Sequence, residues 1–202
     1  MKNTSTQRAA GFTLVELLVS ITIMVLLAGI IVGGFAFVQD RQARATAELQ
    51  IALLSRGIDE YRLDMGVHPG TGANSDFGGN ATTAAGLHSR VLYRALFYQG
   101  WRALNNSAGS TGPTVASTIY VAELDPINNR QGWTNSPGGA TPPAETPILD
   151  PWGREYRYRV GDNAVNPDFD LWSSGKDGRT DPGTGGNYNV NADDNKDDIR
   201  NF

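Results

Sequence analysis

The chain has 202 residues, with 21 acidic and 17 basic side chains and a formal charge of -4. Binding to nucleic acid depends on clustered lysine and arginine, so this acidic balance disfavours nucleic acid as a main partner. Cysteine does not occur, which excludes disulfide bonds, a cysteine nucleophile and thiolate metal sites. The length suits one domain attached to a helix.

A short polar leader is followed by a long apolar run. Residues 1–11 carry Lys2 and Arg8 and no acidic residue. Residues 17–38 form a stretch of 22 residues without a charge, which exceeds the roughly 18 residues that indicate a membrane span. Glu16 stands at the head of this run, where a carboxylate beside hydrocarbon costs about 2.5–3.5 kcal/mol. We therefore expect Glu16 to have a positively charged partner.

The motif Gly-Phe-Thr-Leu-Val-Glu at residues 11–16 resembles the class III signal of type IV pilins and type II secretion pseudopilins. The resemblance implies that a prepilin peptidase cuts between Gly11 and Phe12 and methylates the new amino group of Phe12. That ammonium group would neutralise Glu16 of a neighbouring subunit. An ordinary secretory signal fits poorly, because its apolar core has about 7–15 residues and its cleavage site follows the core. A plain membrane anchor would leave Glu16 unexplained.

A helical pattern continues beyond the apolar run. Apolar residues recur at alternating spacings of four and three, which predicts the buried face of an amphipathic helix. These residues are Ala47, Ile51, Leu54, Ile58, Tyr61 and Met65. Gly66 and Pro69 then end the pattern. We predict one helix over residues 12–65, with a transmembrane and assembly half at 12–38 and an amphipathic half at 39–66.

The remaining residues, 67–202, are predicted to form a loop-rich head, because most of the 24 glycines and 10 prolines lie there. Residues 70–149 are interpreted as a variable insertion. Within it we predict a second helix at 83–104, a short strand at 118–121 and turns at 132–147.

Residues 150–202 carry a second set of motifs. Asp-Pro-Trp-Gly at 150–153 is typical of a turn, and residues 156–160 alternate as a half-exposed strand. Residues 168–175 predict a second strand, and the chain ends Asp-Asp-Ile-Arg-Asn-Phe. This order resembles the head of the major pseudopilin of type II secretion. The resemblance implies an α+β, pilin-like fold, in which the long helix packs on a head with a short antiparallel sheet.

The glycine-rich tail offers carboxylates and backbone carbonyls, which are the oxygen ligands that Ca2+ prefers. Major pseudopilins bind a structural calcium in this loop, so the resemblance implies a site built on Asp177 and Asp198. Further candidate ligands are Asp193, Asp194, Asp197 and the backbone oxygens of Ser173 and Ser174. The segment 182–191 is longer than in the family, and Lys196 adds a positive charge. The alternative is a solvated acidic tail without a metal.

The two histidines, His68 and His88, lie in no catalytic motif, so we do not expect an enzyme. The resemblance implies a structural subunit of a homo-oligomeric helical filament in type II secretion, with other pseudopilins and an inner-membrane assembly platform as partners. The precursor would cross the inner membrane once, with Lys2 and Arg8 in the cytoplasm and the head in the periplasm. A type IV pilus subunit for adhesion, motility or DNA uptake has the same amino terminus and is the alternative.

Overall fold

The computed structural model divides the chain into two compact units, residues 1–41 and 42–202. The residues that it describes are 12–70, 87–105, 118–128, 132–135, 139, 141–162, 164–183 and 188–202. For residues 32–36 and 87–88 it describes the backbone only.

One long helix, α1 (Leu14–Met65), contains 52 residues and confirms the predicted helix to within two residues at its start. Thr13 and Glu16 close its first turn, because each side chain accepts the backbone N–H of the other, at 3.3 and 3.2 Å. This reciprocal arrangement is a capping box. At the other end Gly66 has a φ of 74°, a left-handed conformation that glycine adopts without strain.

The first half of α1 carries an exposed apolar segment. A stretch of 18 residues, Leu14–Ile31, has a mean hydropathy of 2.7, and none of its residues is buried. Within the described ranges, this is the one helical stretch that is long and apolar enough to cross a membrane. Leu14 and Ile30 are 83% and 74% exposed. A continuous apolar surface of this kind is typical of a segment that lipid or another protein covers.

The second half of α1 provides the face on which the head packs, as predicted. Five residues of the predicted face are 5% exposed or less, namely Ala47, Ile51, Leu54, Ile58 and Tyr61. Burial of each larger apolar side chain contributes about 1.5–3 kcal/mol. Met65, the last residue of the face, is partly buried. The Tyr156 hydroxyl also donates to Oε1 of the buried Gln50 at 2.6 Å, so a polar contact joins the helix to the head.

The predicted second helix is shorter and less regular than expected. It consists of α2 (Arg90–Tyr93), a π-helical turn (Arg94–Tyr98) and α3 (Gln99–Leu104). The predicted start at 83–86 lies outside the described residues, and Leu87–His88 is a strand, β1. The prediction is wrong at these two residues because their backbone pairs with a neighbouring strand, which an apolar stripe does not reveal.

Four short antiparallel strands form one sheet in the order β1-β2-β3-β4. The strand β2 is Arg157–Arg159, β3 is Asp170–Ser173 and β4 is Ile199–Arg200. The register places Tyr158 opposite Leu171, and both belong to the core that contains the buried face of α1. The α+β, pilin-like fold and both predicted strands are therefore confirmed, although the strands are shorter than predicted.

The prediction of a strand at 118–121 is wrong. The N–H groups of Tyr120 and Val121 both donate to the carbonyl of Leu96, at 2.8 and 3.3 Å. The segment is thus attached to the helical part of the head and not to the sheet. It continues into a 3-10 turn at Ala122–Leu124.

The segment that leads into the sheet is a loop, as predicted, over the described residues 132–135 and 141–147. The predicted turn at Asp-Pro-Trp-Gly is also present. Gly153 has a φ of 82°, and its N–H donates to the carbonyl of Asp150 at 2.9 Å.

Candidate functional site

The predicted site residues lie in two regions, the start of α1 and the loop 174–198, which we call the acidic loop. Gly11, on one side of the predicted cleavage bond, lies outside the described residues, and Phe12 is 78% exposed. The Thr13 hydroxyl donates to Oε2 of Glu16 at 3.0 Å. A carboxylate at this end of a helix also interacts favourably with the helix dipole. In the single chain, Glu16 is therefore held by its own first helical turn.

The acidic loop begins with a tight turn. The Ser174 carbonyl accepts the N–H of Gly178 at 3.1 Å, and the N–H of Asp177 donates to Oδ2 of Asp197 at 2.9 Å. Gly175 has a φ of 59°, and a Cβ there would lie 2.4 Å from the carbonyl oxygen of Asp197. Glycine therefore allows the turn to approach Asp197, which brings Asp177 and Asp197 together.

Asp198 is a buried carboxylate in this loop, only 9% exposed. Its Oδ2 accepts hydrogen bonds from the hydroxyls of Thr180, at 2.7 Å, and Tyr188. Its Oδ1 is buried and has no hydrogen-bond partner among the described residues. The pKa of Asp198 is raised to about 6, mainly by burial and also by the charges of Asp197 and Asp177, whereas the two hydroxyl hydrogen bonds lower it.

Two other candidate ligands are exposed and paired with basic side chains. Asp193 Oδ1 lies 2.6 Å from the Lys196 ammonium, and this contact holds the pKa of Asp193 below its usual value. Asp194 lies 3.8 Å from the Arg179 guanidinium. The positive charge of Lys196 is therefore engaged within its own short segment.

Asp150 is a buried residue of the predicted turn, and the sequence analysis did not predict the contacts of its carboxylate. It is 4% exposed, and its carboxylate accepts the N–H groups of Trp152 and Arg154, at 3.0 and 2.8 Å. It also accepts the hydroxyl of Ser173. Asp150 thus joins the turn before β2 to the end of β3, where the acidic loop begins. The sequence signal that could have indicated the role of Asp150 is an aspartate at the first position of a turn motif, where its carboxylate commonly accepts backbone N–H groups.

A second missed contact is the ion pair between Arg159 and Asp170. Both side chains are fully buried, and Nε of Arg159 lies 2.6 Å from Oδ2 of Asp170. Arg159 Nη1 also donates to the carbonyl of Pro182 at 2.6 Å, while Asp170 accepts the N–H groups of Val165 and Asn166. The predicted half-exposed strand is therefore wrong at Arg159, because its charge is neutralised across the sheet and its side chain attaches the acidic loop.

The acidic loop has the donor chemistry for a hard cation. Within the described residues, no three acidic, histidine or cysteine side chains form a metal-binding cluster. The loop nevertheless contains an unpaired, buried carboxylate oxygen on Asp198. The carboxylates of Asp177 and Asp197 lie close enough to raise its pKa. Since Ca2+ also accepts backbone carbonyl ligands, the residues present fit such an ion.

The long apolar helix, its Thr-x-x-Glu start and the small antiparallel head define a type IV pilin-like protein. The profile of the prokaryotic N-terminal methylation motif matches residues 6–32. The profile of type II secretion system protein G matches residues 103–193, so the likeness extends further into the head than the motifs after residue 150.

A curated relative gives the same result. The type II secretion system core protein G of Vibrio cholerae serotype O1 is 26% identical over 188 residues, which is 91% of this chain and 94% of that protein. No solved structure gives a significant match. At its amino terminus the chain is therefore similar to proteins with a prokaryotic methylation motif, and in its head to type II secretion system protein G.

The buried ion pair gives a testable prediction. Arg159→Met should destabilise the head by about 3–5 kcal/mol, because it leaves Asp170 buried without its cation. Arg157→Met, on the same strand but only half buried, should have a much smaller effect. Urea unfolding of the fragment 42–202, which contains the whole core, measures both. Equal transition midpoints for the two variants would contradict the importance of the pair.

Proposed function

We propose that the chain is a structural subunit of a type II secretion pseudopilus, which polymerises through its amino-terminal helix into a periplasmic filament that drives protein export. The observation that carries this proposal is the uncovered apolar surface of Leu14–Ile31 on the same helix that forms the core of the head. Such a surface needs lipid in the precursor and other subunits in the filament. The match to protein G favours a pseudopilus among pilin-like filaments.

The precursor would be a single-pass protein of the inner membrane with its head in the periplasm. Lys2 and Arg8 would stay in the cytoplasm, in keeping with the positive-inside rule. A prepilin peptidase would remove the leader after Gly11 and methylate Phe12. The subunit would then leave the bilayer at an inner-membrane assembly platform and join other copies and other pseudopilins.

Assembly would change the partner of Glu16. In the single chain its carboxylate accepts hydrogen bonds from Thr13, whereas in the filament it would neutralise the Phe12 ammonium of a neighbouring subunit. Each subunit would thus offer two different surfaces, one to each neighbour. A heterologous contact of this kind propagates into a filament instead of closing into a ring or dimer.

A structural role also accounts for the histidines. His68 packs its ring edge against Phe169, with ring centroids 5.9 Å apart, and burial lowers its pKa. His88 lies in β1. The packing of His68 on Phe169 favours a structural role for this residue over a catalytic one. A type IV pilus for adhesion, motility or DNA uptake is less favoured, because the head matches protein G.

We also propose that calcium orders the acidic loop. Asp198 and Asp177 would be its main side-chain ligands, with Asp197 nearby and backbone oxygens completing the shell. The support is the unpaired Oδ1 of Asp198 together with three carboxylates in one loop. When bound, the ion supplies positive charge that removes their mutual repulsion.

Processing gives the first prediction of this proposal. Intact-mass analysis of the membrane-extracted protein should show a chain that starts at a methylated Phe12, because the peptidase recognises the motif at residues 11–16. A Gly11→Val precursor should keep its leader, since the small residue before the cut is lost. A mature chain that begins after residue 30 would indicate an ordinary signal peptide and contradict the proposal.

The role of Glu16 in assembly is testable with two variants. Glu16→Ala should abolish or strongly reduce filaments seen by electron microscopy, while the precursor still inserts and the head stays folded. Glu16→Gln retains an oxygen that can cap the helix but loses the charge, so it should fail as well. If Glu16→Gln assembles normally, the pairing with the Phe12 ammonium is wrong.

Calcium binding should raise the melting temperature of the fragment 42–202. A ligand that binds only the folded state stabilises it by about 2.7 kcal/mol at a hundredfold excess over its Kd. Chelator should therefore lower the melting temperature, and calcium should restore it. Magnesium should not, because it dehydrates reluctantly and requires octahedral geometry.

The matched variants locate this effect in the acidic loop. Asp177→Ala and Asp198→Ala should each abolish the response to calcium. Glu123→Ala removes one exposed carboxylate from the 3-10 turn and should leave the response intact. A melting temperature of the unaltered fragment that does not change with chelator would show that the acidic loop binds no calcium.

A further inference from the structure

The two oxygens of the Asp198 carboxylate have different surroundings. Oδ2 accepts two hydroxyl hydrogen bonds, from Thr180 and Tyr188. Oδ1 is buried without a hydrogen-bond partner in the part of the chain that the structure describes. A buried polar atom without a partner is unfavourable, and a cation bound to Oδ1 would remove this cost.

The two hydroxyl groups are themselves held in place. The Tyr188 ring meets the Phe202 ring edge-on, with centroids 5.0 Å apart, and the Arg200 guanidinium lies 5.3 Å from the centroid of the Tyr188 ring. Thr180 Oγ1 accepts the indole N–H of the buried Trp172 at 3.1 Å, which leaves its own hydrogen for Asp198. Both donors are therefore directed at Oδ2 by contacts that do not involve the carboxylate.

We propose that Tyr188 and Thr180 are positioning residues for calcium, which occupy Oδ2 of Asp198 so that Oδ1 alone binds the ion. Asp198 is then a monodentate ligand, and neither hydroxyl touches the metal. This inference rests on the calcium site proposed above. Tyr188 belongs to the segment 182–191, so this segment supplies a group that positions the proposed ligand.

The expected size of the effect follows from the way metal ligands are oriented. Hydrogen bonds from neighbouring groups fix a ligand's orientation, and their loss typically weakens metal binding by about 10–100-fold. Without the Tyr188 hydroxyl, the Thr180 hydroxyl alone holds Oδ2, so the carboxylate rotates more easily about its Cβ–Cγ bond and can present both oxygens to the ion.

The first test is Tyr188→Phe in the mature full-length chain in detergent. This change keeps the ring contacts with Phe202 and Arg200 and removes only the hydroxyl. Calorimetric titration should give a calcium Kd at least about 10-fold higher than that of the unaltered chain. Tyr120→Phe is the matched control, because it also removes a hydrogen bond to an aspartate, Asp64 at 3.1 Å, and should leave the calcium Kd unchanged.

Thr180 allows a conservative rescue. Thr180→Ser retains the hydroxyl and should bind calcium as tightly as the unaltered chain, whereas Thr180→Val should bind it less tightly. A general loss of stability would appear as a lower melting temperature in chelator. It would not by itself make calcium binding tight in Thr180→Ser, which keeps the hydroxyl, and weak in Thr180→Val, which lacks it.

Infrared difference spectra with and without calcium report the coordination mode. The gap in frequency between the two carboxylate stretching bands widens for monodentate binding and narrows for bidentate binding. On addition of calcium, the unaltered chain should therefore show a pair of bands with a wider gap, and Asp198→Asn should remove this pair. If the unaltered chain binds no calcium, the calcium site and this inference both fail. If it binds calcium and Tyr188→Phe binds equally tightly, the calcium site stands and the positioning role is rejected.

Discussion

The buried face of the second half of α1 is the contact on which the rest of the head depends. Its residues belong to the same core as the helical segment after residue 90 and the strands of the sheet. At Gly57 a Cβ would lie 2.4 Å from Cγ2 of Val121, so the segment before the 3-10 turn lies directly on the helix. Near the end of the helix, Arg62 Nη1 lies 2.6 Å from Oδ1 of Asp168. Because these contacts use one side of the helix, the second half of α1 is part of the head's core.

This dependence explains which elements could be predicted from the sequence. The long helix carries its own signals, since its spacing, its capping residues and Gly66 are all local. The strand β2 was predicted from its alternating pattern after the turn at residue 150, and β3 from the strand and turn pattern at residues 168–175. The strand β1 and the segment at 118–121 depend instead on distant partners. Leu87 pairs with Tyr158 and Tyr120 with Leu96, and no local propensity specifies these choices.

The candidate sites divide in the same way. The start of α1 could be located because its motif is continuous in sequence. In the acidic loop the sequence identified the aspartates but not the state of each oxygen. That state depends on hydroxyl groups 18 and 10 residues away from Asp198. The burial of Arg159 could not be predicted from the sequence either. Alternation places it on the same face of the strand as the half-buried Arg157, and only the register of the sheet brings it opposite Asp170.

A chain without cysteine must close its terminal loop with non-covalent contacts, and the structure contains several. The fully buried Asn195 donates to the carbonyls of Asp181 and Asn189, both at 2.9 Å, and accepts the N–H of Asp181 at 2.6 Å. Arg159 holds the carbonyl of Pro182. Each such hydrogen bond contributes about 0.5–1.5 kcal/mol, so the described backbone on either side of residues 184–187 is held by several contacts acting together. None of them neutralises the carboxylates of Asp177, Asp197 and Asp198. The role that we propose for calcium is therefore to balance that charge, because these contacts already hold the described backbone of the loop and the two hydroxyls already direct Oδ2 of Asp198.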